Sequence, residues 1–178
     1  MNNEQIVAVG GIKELKFRDL KSDEIDVRVA MVKKNGVSLL LYKDARVDQD
    51  ILDETVGALN WQRKHSRDNA NCEVGIWDNV KQQWVWKEDT GTESNTEKEK
   101  GLASDSFKRA CFNWGIGREL YTSPFIWVSS DKCEIYEDKG SMKVKDTFYV
   151  SAIEIEDKKI TGLEIKNNKD VRVFLWKK

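Results

Sequence analysis

Lys108, Arg109 and Phe112 fall on one side of a helical pattern whose opposite side carries Phe107 and Trp114. At about 100° per residue, that polar side also holds Gly101 and Asp105. A basic pair beside an aromatic can hold phosphates while offering a surface on which a base stacks. From the residues alone, the plainer reading of the same pattern is a solvated helix face carrying one stray aromatic. Other chemistries have little to work with. His65 is the single histidine, so a His-rich metal site cannot be built. Its neighbours Arg63, Lys64, Ser66 and Arg67 predict a flexible, exposed surface position. There is no Cys-x-x-Cys pair, no G-x-x-x-x-G-K-[ST] phosphate loop and no G-x-S-x-G elbow. Gly115-Ile116-Gly117 is only a fragment of a dinucleotide loop and carries no weight. Glu137-x-Lys139, Glu156-x-Lys158 and Asp157-x-Lys159 could serve a magnesium-dependent nuclease. In a chain with 34% charged residues such triplets arise by chance, and these fall at expected turns.

The helix bearing the basic pair is expected over 96–114. Thr96-x-x-Glu99 reads as a capping box, and Gly115 ends the helix. Ala103, Phe107, Ala110, Cys111 and Trp114 keep the spacing of a buried stripe, which assigns Phe107 and Trp114 to the core. Upstream, strands are expected over 27–33 and 37–42, joined at Asn35-Gly36, where both turn positions tolerate positive φ. A helix over about 46–56 follows, capped by Asp44 and stopped by Gly57, with Val47, Ile51 and Leu52 along one side. A second hairpin pairs 72–77 with 84–87 across Asp78-Asn79. After a short turn at 118–121, strands over 148–155, 160–165 and 171–176 complete the pattern. Turns at Asp157-Lys158-Lys159 and Asn167-Asn168 separate them. The expected class is α+β: antiparallel hairpins packed on one long helix, with a β-rich C-terminal extension.

The chain's 178 residues suit one domain. Hydrophobic residues make up 39%, and seven tryptophans can anchor a core. Thirty basic against 31 acidic residues give a net charge of −1, which argues against a protein coated in positive charge. A local basic groove remains compatible with it, because steering depends on where charges sit. One proline and eleven glycines speak against a disordered or collagen-like chain. No apolar run nears the roughly 20 residues needed to span a bilayer, so no membrane is expected as a partner. The polar start Met1-Asn2-Asn3-Glu4-Gln5 predicts no leader. Cys72, Cys111 and Cys133, odd in number and widely spaced, predict a reducing cytoplasm without a disulfide framework.

Trp86-Lys87-Glu88-Asp89-x-Gly91-x-Glu93-Ser94, then Glu97, Glu99-Lys100-Gly101 and Ala103-Ser104-Asp105-Ser106-Phe107-Lys108-Arg109-Ala110, form an ordered motif set. It runs on through Trp114-Gly115-x-Gly117-Arg118-x-Leu120-Tyr121. Upstream stand Tyr42-Lys43-Asp44-Ala45-Arg46-Val47 and Leu52-Asp53-x-x-x-Gly57-x-x-Asn60-Trp61. Together these resemble the Rad-fifty-two-type single-strand annealing proteins, most of all their short bacteriophage (Sak-like) members. The resemblance covers about residues 25–125. It divides the chain into an N-terminal segment 1–24, an annealing core 25–125 and a β-rich extension 126–178 of the same domain.

The resemblance implies a β-β-β-α core assembled into rings or helical arrays, with single-stranded DNA in a basic outer groove. It implies annealing in recombination and repair, in a bacterial cytoplasm, without catalysis, nucleotide hydrolysis, metal or other cofactor. A host or phage single-strand-binding protein is a further expected partner. Position by position, it carries DNA binding onto Arg46, Lys108 and Arg109. Independently, Arg46 sits near a helix N-terminus, where a cation opposes the macrodipole unless an anion is shared there. Arg46 could equally pair with Asp44, Asp48 or Asp50, and the Lys108-Arg109 pair with Asp105 or a neighbouring copy. Where the eukaryotic pattern has another basic residue, this chain has Phe112, a candidate stacking platform or subunit contact. Two other classes compete: the metal-dependent nuclease, and a ring-forming scaffold or inhibitor without DNA binding.

Overall fold

A computed structural model describes residues 15–92 and 98–178, with side chains from residue 101 onward in the second stretch. It is α+β, with antiparallel strands and two α-helices. In chain order these are β1 (Asp26–Lys33), β2 (Gly36–Tyr42), α1 (Ala45–Val56), β3 (Trp61–Ser66), β4 (Asn71–Asp78) and β5 (Gln83–Thr90). Then come α2 (Lys98–Trp114), a 3-10 turn (Arg118–Thr122), β6 (Ile126–Ser129), β7 (Ile135–Asp138) and β8 (Ser141–Val144). The chain ends in β9 (Phe148–Glu156), β10 (Lys159–Asn167) and β11 (Arg172–Lys177).

Six strands form the larger sheet in the order β11-β10-β9-β1-β2-β6. Its two ends, β11 and β6, come into contact, so the sheet curls almost into a barrel. The C-terminal strands therefore continue the sheet of the first hairpin. β1 pairs with β2 along its length apart from a bulge between Val29 and Met31, but its ladder with β9 is the single pair Asp26–Tyr149. The second sheet, β3-β4-β5, is followed by α2, so β-β-β-α is the order of this unit. β7 and β8 form a separate hairpin. Among the described residues no helix is long and apolar enough to cross a membrane.

Local chemistry accounts for the two helices. The Asp44 side chain accepts from the Arg46 backbone N–H at 2.8 Å, satisfying a free donor at the start of α1. α2 ends where Gly115 turns to φ 104°, a conformation open to glycine and costly for other residues. The expected capping box begins at Thr96, outside the described residues.

One face of β3-β4-β5 meets α2. Cys72, Val74 and Ile76 of β4 are buried there, Trp61 stacks on Phe107 at 6.1 Å, and the Trp114 indole donates to the Val74 carbonyl at 2.9 Å. On the other face Trp77, Trp84 and Trp86 form a row, with the Lys64 ammonium 4.1 Å from the Trp86 ring centroid. A single apolar core joins both sheets. Val37 and Leu39 of β2, Ile126 and Val128 of β6 and Leu163 and Ile165 of β10 pack with Ile51 and Leu52 of α1 and with Phe107, Ala110 and Cys111 of α2.

Candidate nucleic-acid interface

The buried stripe of α2 points Phe107, Ala110 and Cys111 inward, so the residues between them face out. Lys108, Arg109 and Phe112 accordingly share one cleft of about 590 Å³. β1 and β2 supply the opposite wall through Arg28 and Tyr42, Lys43 adds to it from the link just after β2, and the turn after α2 supplies Tyr121. Among the described residues, four cations thus meet one carboxylate in the lining, Asp105. That carboxylate is engaged, accepting from the Thr92 backbone N–H at 2.8 Å and the Thr92 hydroxyl at 3.2 Å. Converging positive charge between apolar walls attracts anions more strongly than the net charge of −1 suggests.

The sequence-predicted residues differ in their surroundings. Among the described residues, the Lys108 ammonium makes no ion pair or hydrogen bond. Arg109 reaches out of the helix to Asp89 of β5 at 3.3 Å, rather than to Asp105. Asn113 also donates to Asp89, at 3.3 Å. Arg46 is exposed at the start of α1 and lies outside the cleft lining. Asp44 binds its backbone, Asp48 pairs elsewhere, and its guanidinium has no partner among the described residues.

Phe112 is half-buried rather than a free platform. Its ring lies against Tyr121, with centroids 4.5 Å apart and planes inclined by 56°. Arg118 flanks it at 5.5 Å while donating to the Phe112 and Asn113 carbonyls at 2.9 and 3.1 Å. A cation on these last-turn carbonyls also complements the helix macrodipole.

Behind the cleft wall, Lys43 forms an ion pair with Asp48 of α1. Burial pushes the Asp48 carboxyl up to about 6, and the Lys43 and Lys108 charges only partly oppose that rise. One Asp48 oxygen has no hydrogen-bond partner. Gly117, at φ 71°, leaves room for this arrangement, since a methyl group there would run into the Lys43 side chain. Sequence reasoning missed the pair, though a signal exists: Asp48 occupies the helical stripe of Ile51 and Leu52, where an acid needs a buried partner.

His65 departs from expectation. It lies on β3, half-buried against α2, with Nδ1 3.5 Å from the Ser106 hydroxyl. Burial and the neighbouring Arg63 lower its pKa. Its polar sequence neighbours alternate between the sheet's two faces, which sequence inspection merges into one polar run. Among the described residues, no three histidine, cysteine or acidic side chains converge as a metal cage would require.

No protein-family model, curated protein or solved structure matches this chain.

Proposed function

We propose that this protein binds single-stranded DNA and anneals complementary strands without ATP, as a homo-oligomer acting in recombination and repair in a phage-infected bacterium. The observation that carries the reading is the cleft, where Lys108 and Phe112 of α2 meet Arg28, Lys43 and Tyr121. Cations beside aromatic rings suit a strand whose phosphates need neutralising and whose bases offer flat apolar faces. The motif resemblance over residues 25–125 adds the annealing activity and the self-assembly. A few cations per copy bind weakly at physiological salt, and assembly of many copies on one strand multiplies that grip.

The test is direct. Complementary oligonucleotides are mixed with the protein, with and without EDTA, and duplex formation is followed by gel. Annealing that survives EDTA is the expected result. Strand loss that EDTA stops would instead indicate the nuclease, and inertness the scaffold.

A further inference from the structure

Tyr121 stands in the cleft lining with 69% of its surface exposed. An exposed aromatic ordinarily samples several rotamers and loses that freedom when a ligand stacks on it. This ring is held in advance. Phe112 supports it from behind at 4.5 Å, and Arg118 in turn braces Phe112. The 3-10 turn bearing Tyr121 is tied down as well: the Thr122 hydroxyl donates to the Glu119 carbonyl at 2.7 Å and accepts from the Ile160 N–H at 2.9 Å. A braced ring left open to solvent is a preorganised surface.

The cleft is also larger than a phosphate needs. Its 590 Å³ falls in the range of sites that enclose small organic ligands, roughly 300–1,000 Å³. Lys108 and Arg28, both without an ion-pair partner among the described residues, share the lining with Tyr121. Cations without an ion-pair partner among the described residues and a fixed aromatic surface in one cavity match a nucleotide unit, with its anionic phosphate and flat base.

We propose that each copy of the chain takes one nucleobase of the bound strand onto the Tyr121 ring, with an adjoining phosphate held by Lys108 and Arg28. The inference rests on the single-strand reading above and adds that the strand is held through a base as well as its backbone. One base per copy is then turned away from its pairing partner while the others stay available.

Fluorescence anisotropy with labelled oligothymidylate, and with an abasic strand of equal length, tests this on the parent protein, Tyr121→Ala and Tyr121→Phe. Stacking predicts that the parent prefers oligothymidylate by about 5- to 150-fold. Tyr121→Ala should lose that preference by weakening on oligothymidylate alone, whereas Tyr121→Phe should keep it. Equal parent affinity for the two strands overturns the inference and leaves the single-strand reading standing. Failure to bind either strand overturns both. Parallel weakening of Tyr121→Ala on both strands also overturns the stacking role, because it marks a loss of grip on the backbone.

Discussion

Lys43 and Asp48 form a buried ion pair in which only the lysine reaches the cleft: Lys43 is 6% exposed and lines it, while Asp48 is 0% exposed and lies behind it. The desolvation cost of such a pair can exceed its Coulombic gain, and the raised Asp48 pKa has that sign. Charges facing this carboxyl are Lys43 and Lys108, and the neighbouring Cys111 thiol is pushed up by burial.

The pair makes stability and binding depend on pH. A carboxyl raised from 3.8 to about 6 on folding contributes stability that is fully present below its unfolded pKa and lost as pH rises through about 6. Asp48→Asn should therefore melt no lower than the parent at pH 7.5 and lack the parent's gain on acidification. With Lys43 released toward the cleft, the variant should also bind single strands more tightly at neutral pH, with the log–log salt slope steeper by up to ~0.7. Melting curves at several pH values, with a salt titration of binding, check both. A variant that melts far lower at every pH would show instead that the pair holds the fold.

Lys108→Ala and Arg28→Ala should each weaken single-strand binding and flatten the salt slope by about 0.7 per lost phosphate contact. Arg109→Ala should cost less affinity, since Asp89 already shares its charge. Arg46→Ala probes whether the strand runs on past the start of α1, and a slope loss like that of Lys108→Ala is expected. Binding isotherms across a salt series measure all four, and unchanged slopes throughout would place the strand elsewhere.

Phe107 is fully buried between α2 and Trp61, so Phe107→Ala should cost about 3–5 kcal/mol of stability. Trp114→Phe keeps most of the packing but loses the indole bond to Val74, at a cost of about 1 kcal/mol. Denaturant melts should rank the two in that order. Binding by the folded fraction should be unchanged in both, and a selective binding defect would move these rings from core to interface.

Self-association is the remaining expectation. Sedimentation at micromolar protein, with and without single-stranded DNA, should show a species well above one chain. A strictly monomeric profile with DNA present counts against assembly on the strand.

Much of the frame was legible because its signals are local. The first hairpin falls where Lys34-Asn35-Gly36 marks it, but its two-residue turn is Lys34-Asn35, and Gly36 already pairs with Lys33 as the first residue of β2. Asp44 and Gly57 bracket α1 within a residue of the structure. β3 was not legible: Trp61, Arg63 and His65 face α2 while Gln62, Lys64 and Ser66 face outward, and the mixture reads as polar loop. β6, β7 and β8 have four residues each, too few to display alternation. The α2 side of the cleft followed from helical periodicity alone. Arg28, Lys43 and Tyr121 join it only through tertiary packing, which no spacing within the sequence expresses.

The larger sheet sets an order of events during synthesis. β1 leaves the ribosome well before β9, so Asp26 finds its β9 partner Tyr149 only after more than a hundred further residues have been made. The β3-β4-β5 meander and α2 need only near neighbours along the chain and can form while the rest is still emerging. Pairings between distant segments slow folding, because a long loop must close before any contact rewards it. The cleft draws one wall from each class, α2 from the early unit and β1–β2 from the sheet completed last. A nascent chain halted before β9 would therefore carry Lys108 and Phe112 on a formed helix, while Arg28 and Lys43 waited on a hairpin not yet built into its sheet.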